Sequence, residues 1–209
     1  MDNNQRHKRL RLLFRKLNKE HKKQAEKIDI LCNDLIAAQR DFIRRLNVIS
    51  FTANFYESII GAADLSSLFY TASKLIREQT GDLNIAFFLR KEDDFELRLF
   101  ESDSPIALEK ESLENCFTSE LVENICKSNQ VCTLEGLLTM GLQGNPTILN
   151  KISAATIPLG RGGTSVGFIL IYRSSENELT AEEVSSISAV TSGLSRAIES
   201  CRVFLQSAD

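Results

Sequence analysis

Ser153 to Leu205 reads SAATIPLGRGGTSVGFILIYRSSENELTAEEVSSISAVTSGLSRAIESCRVFL, and its patterning decides the fold. Ala155 to Leu159 predicts a short strand, Gly160-Arg161-Gly162-Gly163 supplies residues that accept positive φ, and Val166 to Tyr172 is an apolar second strand. Together they predict a β-hairpin. After a polar loop, Thr180-x-x-Glu183 is a capping-box sequence, with Leu179 and Val184 at the two positions of a hydrophobic staple. A helix therefore starts at Ala181. Val184, Ile187, Val190, Leu194, Ile198, Cys201 and Leu205 recur at threes and fours and give it one continuous apolar stripe.

Upstream of this hairpin the elements are shorter. Asp64 is placed to cap a helix from Leu65 to Gln79, with Gly81 just past its end. Leu83 to Arg90 and Phe95 to Glu101 flank a polar Lys-Glu-Asp-Asp turn and predict a first hairpin, whose second strand alternates Phe95, Leu97 and Leu99 with Glu96 and Arg98. Residues 102–116 are polar and read as loop. Thr118 can cap a short helix carrying Leu121, Val122 and Ile125, and Val131 to Leu134 reads as one more short strand. From Glu135 to Ile152 glycines interrupt the pattern, and Asn145-Pro146 fits the N-cap and first residue of a short helix.

At the front of the chain, proline and glycine are absent from Leu10 to Ile49, and twelve positions follow a 3-4 spacing. Leu10, Phe14, Leu17, Ile28, Leu31, Leu35, Ala38, Phe42 and Ile49 make nine of them apolar, and His21, Gln24 and Arg45 are the polar three. A stripe this narrow, held for more than five heptads, predicts a two-stranded coiled coil, with Leu10, Phe14, Leu17, Ile28, Leu31, Leu35 and Phe42 at the dimer seam. A parallel homodimer is the favoured arrangement; an antiparallel helix within another chain's bundle is the alternative.

Composition sets the frame for these elements. With 209 residues, 43% of them apolar, the chain can bury one ordinary core and carry one extension. The division expected is a basic coiled-coil helix over residues 1–50 and a domain over 51–209. Five cysteines without CxxC spacing point to reduced thiols and a cytoplasmic location. No apolar run approaches a membrane span, and the N-terminus lacks a signal-peptide pattern. The net charge of −3 hides a polarity: residues 1–50 hold 13 Lys and Arg against 6 Asp and Glu, and the rest hold 12 against 22.

Ile157-Pro158-Leu159, Gly167-Phe168-Ile169-Leu170 and Leu179-Thr180-Ala181-Glu182-Glu183 resemble, in that order, the closing half of a GAF domain. The predicted element order over residues 50–205 is similar to that family throughout, and fits it better than a PAS domain. The resemblance implies an α+β fold: an antiparallel sheet of five or six strands flanked by helices, here with a long N-terminal coiled-coil helix. It also implies a small-molecule pocket between the sheet and the variable layer from Glu135 to Ile152. Its candidate residues are Arg98 and Phe100 on an inner strand, Met140 and Asn150 on the lid, and Thr156 on the returning strand.

Specific chemistries of that family find little support. His7 and His21 are the only histidines and both lie in the N-terminal helix, so haem or non-haem iron held by domain histidines is excluded and no cofactor is expected. The bilin-attaching Cys-His pair, the Asp-Ile-Pro motif and the cyclic-nucleotide signature are missing. Free methionine sulfoxide reductases are the enzymatic relatives, and Cys116, Cys126 and Cys132 lie in the corresponding region. The Val-Cys-Gly and His-Ile-Ala-Cys patterns of those enzymes are absent, however, and Cys126 falls at a helix C-terminus, which does not activate a thiolate.

The basic start, QRHKRLRLLFRKLNKEHKK, has three readings: the solvated back of a coiled coil, a DNA-binding basic region, or a helix lying on an anionic membrane. The Asn-x-x-x-Ala pattern that reads bases is missing, which disfavours nucleic acid. The expectation is a non-catalytic regulatory module, dimerised by the coil and responding to a small ligand or a signalling protein partner. Alternatives are a thiol-dependent reductase, or the input fragment of a larger kinase or cyclase. The ending at Gln206-Ser-Ala-Asp209 favours a complete small protein or a chain cut at that point over a longer signalling protein.

Overall fold

The computed structural model describes residues 3–62, 64–91, 94–100, 115–161 and 164–207. They form two compact units, 1–47 and 48–209. Residues 102–114 of the loop read at 102–116, Glu101 at the end of the predicted strand, Gly162 and Gly163 of the second hairpin turn, and the side chain of Leu205 lie outside the described residues.

Helix α1 runs from Asn3 to Ile59, 57 residues or about 85 Å at 1.5 Å per residue. It is long because nothing in it breaks a helix, and it ends where Gly61 takes a φ of 126°. Within the first unit, every side chain from Arg6 to Asn47 is exposed. Leu10, Phe14, Leu17, Ile28, Leu31, Leu35 and Phe42 expose between 49% and 69% of their surface, so the stripe read from the sequence is a bare apolar seam.

In the second unit, α2 (Leu65–Thr80) is capped by Asp64, whose carboxylate accepts the Ser66 and Ser67 N–H groups. β1 (Asn84–Lys91) and β2 (Asp94–Phe100) form the first hairpin. Next come α3 (Ser119–Ser128), the two-residue β3 (Cys132–Thr133) and the short helices α4 (Leu134–Thr139) and α5 (Pro146–Leu149). β4 (Ile152–Arg161), β5 (Thr164–Ser174) and α6 (Ala181–Ser207) complete it. The five strands are ordered β2-β1-β5-β4-β3, with every neighbouring pair antiparallel. Strands β4 and β5 are longer than their apolar cores suggest because hairpin pairing carries on through polar ends.

Alternation along the strands separates two cores. One face carries Ile85, Phe87, Leu89, Ala155, Ile157, Ile169 and Ile171 and is covered by α2, α6 and the end of α1. Ile187, Val190, Leu194, Ile198 and Cys201 of the α6 stripe are buried there, with Phe55, Phe69 and Ile76. The other face carries Ala86, Phe88, Leu97, Phe168 and Leu170 and is covered by α3, α4 and α5. Fully burying one such aliphatic or phenylalanine side chain is worth roughly 1.5–3 kcal/mol, so both layers are held by the same force.

Glycines permit two close approaches. At Gly167 (φ 151°), β5 passes so near β1 that an added Cβ would lie 1.9 Å from the Phe88 carbonyl oxygen. At Gly193, in mid-helix, the Tyr56 ring of α1 lies against the bare backbone of α6. The capping box is formed, with Glu183 N–H donating to Thr180 Oγ1 (3.2 Å) and Thr180 N–H to Glu183 Oε2 (2.8 Å). Among the described residues, no helix is long and apolar enough to cross a membrane.

Candidate functional site

The layer between the sheet and helices α3 to α5 is where a ligand pocket was expected, and among the described residues it is packed with side chains. Phe88 stacks on Phe168 with ring centroids 4.6 Å apart and planes 12° from parallel, and Phe117 packs 4.8 Å from Phe88. Leu121, Val122, Ile125, Leu137 and Leu149 complete the plug from the helical side. A cavity of about 20 Å³ remains, walled by Cys116, Phe117, Leu137, Leu142, Leu149 and Tyr172 among others. That is room for one water, and the apolar lining offers it few hydrogen bonds.

The five expected pocket residues do not converge. β2 is an edge strand of the sheet, and Arg98 and Phe100 lie on its α2 side, opposite the expected pocket. Arg98 is engaged there: Nε and Nη2 contact Glu96 Oε1 at 2.9 and 2.8 Å, and Nη1 donates to Ser66 Oγ at 2.9 Å. Phe100 packs edge-on against Phe87. Met140 ends α4 and is half-buried against the second core, and Asn150 ends α5 and is exposed. Thr156 is buried on β4, its hydroxyl donating to the Cys132 carbonyl at 3.5 Å.

The thiols are placed for packing. Cys126, Cys132 and Cys201 are buried, Cys116 is half-buried, and only Cys32 on α1 is exposed. Burial pushes the thiols of Cys116, Cys126 and Cys201 above their ordinary value; at Cys126 a hydrogen bond with Ser165 and the Arg90 charge oppose it without prevailing. A nucleophilic cysteine needs the opposite shift. Among the described residues, no group of three His, Cys, Asp or Glu side chains could hold a metal.

Two further features were not anticipated. The first is Arg173 on β5, 6% exposed, whose guanidinium donates to both oxygens of Glu183 (2.9 and 2.8 Å) and to the carbonyls of Asn177, Glu178 and Thr80. It ties the β5–α6 loop, the capping box and the end of α2 together. Burial pushes the Glu183 carboxyl up, but hydrogen bonds from Thr180 and the Arg173 guanidinium outweigh this and hold it below its ordinary 4.5. The second is a groove of about 690 Å³ between the end of α1 and α6, walled by Tyr56, Ile59, Ala62, Gly193, Ala197 and Cys201 among others. Tyr56 Oη bonds across it to the Ala189 carbonyl (3.2 Å) and Ser192 Oγ (3.3 Å).

No protein-family model and no curated protein matches the sequence. Solved structures do match the fold. The GAF domain of a phosphoenolpyruvate-protein phosphotransferase from Coxiella burnetii aligns over 77% of this chain and 98% of its own, at 11% identity and a TM-score of 0.56. A GAF domain/HD domain protein from Geobacter sulfurreducens aligns over 70% and 99%, at 15% identity and 0.54. Residues 122 to 287 of a methyl-accepting chemotaxis protein align over 72% and 98%, at 14% identity and 0.53. The fold is that of a GAF domain.

Proposed function

We propose that this protein is a non-catalytic regulatory module of GAF type, dimerised in parallel through the α1 seam, acting in the cytoplasm and responding at its domain to a protein partner or small ligand. The observation that carries the reading is the bare seam. Seven apolar residues at coiled-coil spacing stand at 49% to 69% exposure, and such a stripe is stable in water only when another covers it. A signalling role is supported by the chemotaxis protein among the structural neighbours. Among the described residues, the close packing of the second core favours a protein partner over a buried small molecule. The raised thiols of Cys116 and Cys126 favour regulation over cysteine chemistry.

Tyr56 and Gly193 suggest how the domain acts on the coil. Tyr56 belongs to α1 and sits on α6, so an event that shifts α6 acts on the helix that carries the seam. Leu31→Cys in a Cys32→Ser background tests the arrangement, because Leu31 occupies a d position and faces its own copy in a parallel, in-register coil. Mild oxidation is expected to give an interchain disulfide; failure to crosslink would overturn the parallel dimer. Incubation with free methionine sulfoxide and dithiothreitol is expected to give no turnover, and turnover lost in Cys126→Ser or Cys132→Ser would replace regulation with catalysis.

A further inference from the structure

The same heptad phase that places Leu10, Phe14 and Leu17 on the seam places the basic residues on the back of the helix. From Lys8 to Glu26 the outward b, c and f positions are Lys8, Arg9, Leu12, Arg15, Lys16, Lys19, Lys22, Lys23 and Glu26, seven of nine basic. From Asp29 to Asn47 the corresponding nine hold only Arg40 and Arg44. The cationic ridge therefore runs from Lys8 to Lys23, about 23 Å. Every side chain in it is exposed. It does not serve the seam: no oppositely charged g–e′ pair forms in a parallel dimer, because Leu13 would face Asn18, Glu20 would face Ala25 and Lys27 would face Cys32.

Two leucines distinguish the partners such a ridge could take. Leu12 at an f position and Leu13 at a g position are 65% and 63% exposed, and neither is an a or d seam residue. Against nucleic-acid phosphates they would lie idle or in the way. Against a lipid surface, apolar side chains among Lys and Arg can enter the headgroup region while the cations stay at the phosphates. We propose that residues 8–23 of α1 dock along their b, c and f face on an anionic membrane surface. This face is free whether or not the seam is paired, so the proposal does not depend on the dimer.

Co-sedimentation of the full chain with vesicles of 70% phosphatidylcholine and 30% phosphatidylserine tests it, with pure phosphatidylcholine vesicles and a 30-base-pair DNA duplex as the other probes. Binding to the anionic vesicles alone is expected, and it should weaken steeply with added salt. Arg15→Glu/Lys16→Glu/Lys19→Glu should lower vesicle affinity about 100-fold or more, from the scale of one basic residue at an anionic surface. Light scattering should show the oligomeric state of that variant unchanged, which separates ridge from seam. Leu12→Ser, which leaves the charge alone, should weaken binding several-fold. Equal binding to neutral vesicles, binding to the duplex but not to vesicles, or full retention by the triple variant would each overturn the proposal.

Discussion

Replacing Gly193 by Ala should destabilise the domain, and doing so beside a shortened Tyr56 should stabilise it. An ideal Cβ at position 193 would lie 2.2 Å from Tyr56 Cε1, 2.7 Å from Cδ1 and 2.8 Å from Cζ. Carbon atoms in good contact sit at roughly 3.5–4.0 Å, so ring or helix must move by more than 1 Å. Overpacking of this kind costs about 1–3 kcal/mol, and each hydrogen bond lost from Tyr56 Oη would add about 0.5–1.5 kcal/mol. Alanine returns about 0.8–1.0 kcal/mol of helix propensity. Gly193→Ala should therefore cost about 1–3 kcal/mol net in the native background. With Tyr56→Ala in place the clash is gone and only the propensity gain remains. The sign reverses, and the two backgrounds differ by a coupling of about 2–4 kcal/mol. Urea unfolding of the four proteins, followed by circular dichroism, measures the cycle. An equal loss from Gly193→Ala in both backgrounds would refute the close approach of Tyr56 to α6.

Other substitutions probe the sheet and the Arg173 tie. Gly167→Ala combines a 1.9 Å encounter with the Phe88 carbonyl and a φ of 151°, and because the obstacle is backbone it should cost roughly 3–5 kcal/mol, read as a large fall in melting temperature. Arg173→Met leaves Glu183 without its cation and three carbonyls without their donor, and should cost about 3–5 kcal/mol in urea unfolding. The Glu183 carboxyl is held below its ordinary 4.5 in the fold, so its contribution is complete above that pH and is lost as pH falls through the folded value. Stability should thus drop more steeply on acidification in the native protein than in Glu183→Gln; parallel pH profiles would contradict this.

The helices were legible wherever a local signal fixed them. Asp64, Thr118, Asn145-Pro146 and the Thr180–Glu183 box each mark an N-terminus at the residue where the structure has it, because caps act over one turn of chain. Helix α4 was missed: Thr133 sits at its N-cap without a side-chain hydrogen bond, and its six residues are too few to show a period. The hairpins were legible, but alternation in β2 separates two faces without saying which layer each will meet. That is why Arg98 and Phe100 could be assigned to the pocket and yet lie against α2. The close packing of the second core was not legible, since Phe88, Phe117 and Phe168 would read the same lining a cavity or closing it. Arg173 fell just past the strand predicted to end at Tyr172, in the polar loop; its partners lie four to ten residues on, and across the fold at Thr80. Gly193 did carry a signal: a lone glycine inside a strong helical stripe usually marks close packing.

Light scattering with size exclusion on the full chain, beside Leu31→Glu/Leu35→Glu, tests the seam most directly. Both leucines are exposed in the single chain, at 66% and 69%, so the charges disturb no contact of the domain itself. The native chain should elute as a dimer and the variant as a monomer with the same domain melting transition. A native monomer, or a variant that stays dimeric, would contradict assembly through α1.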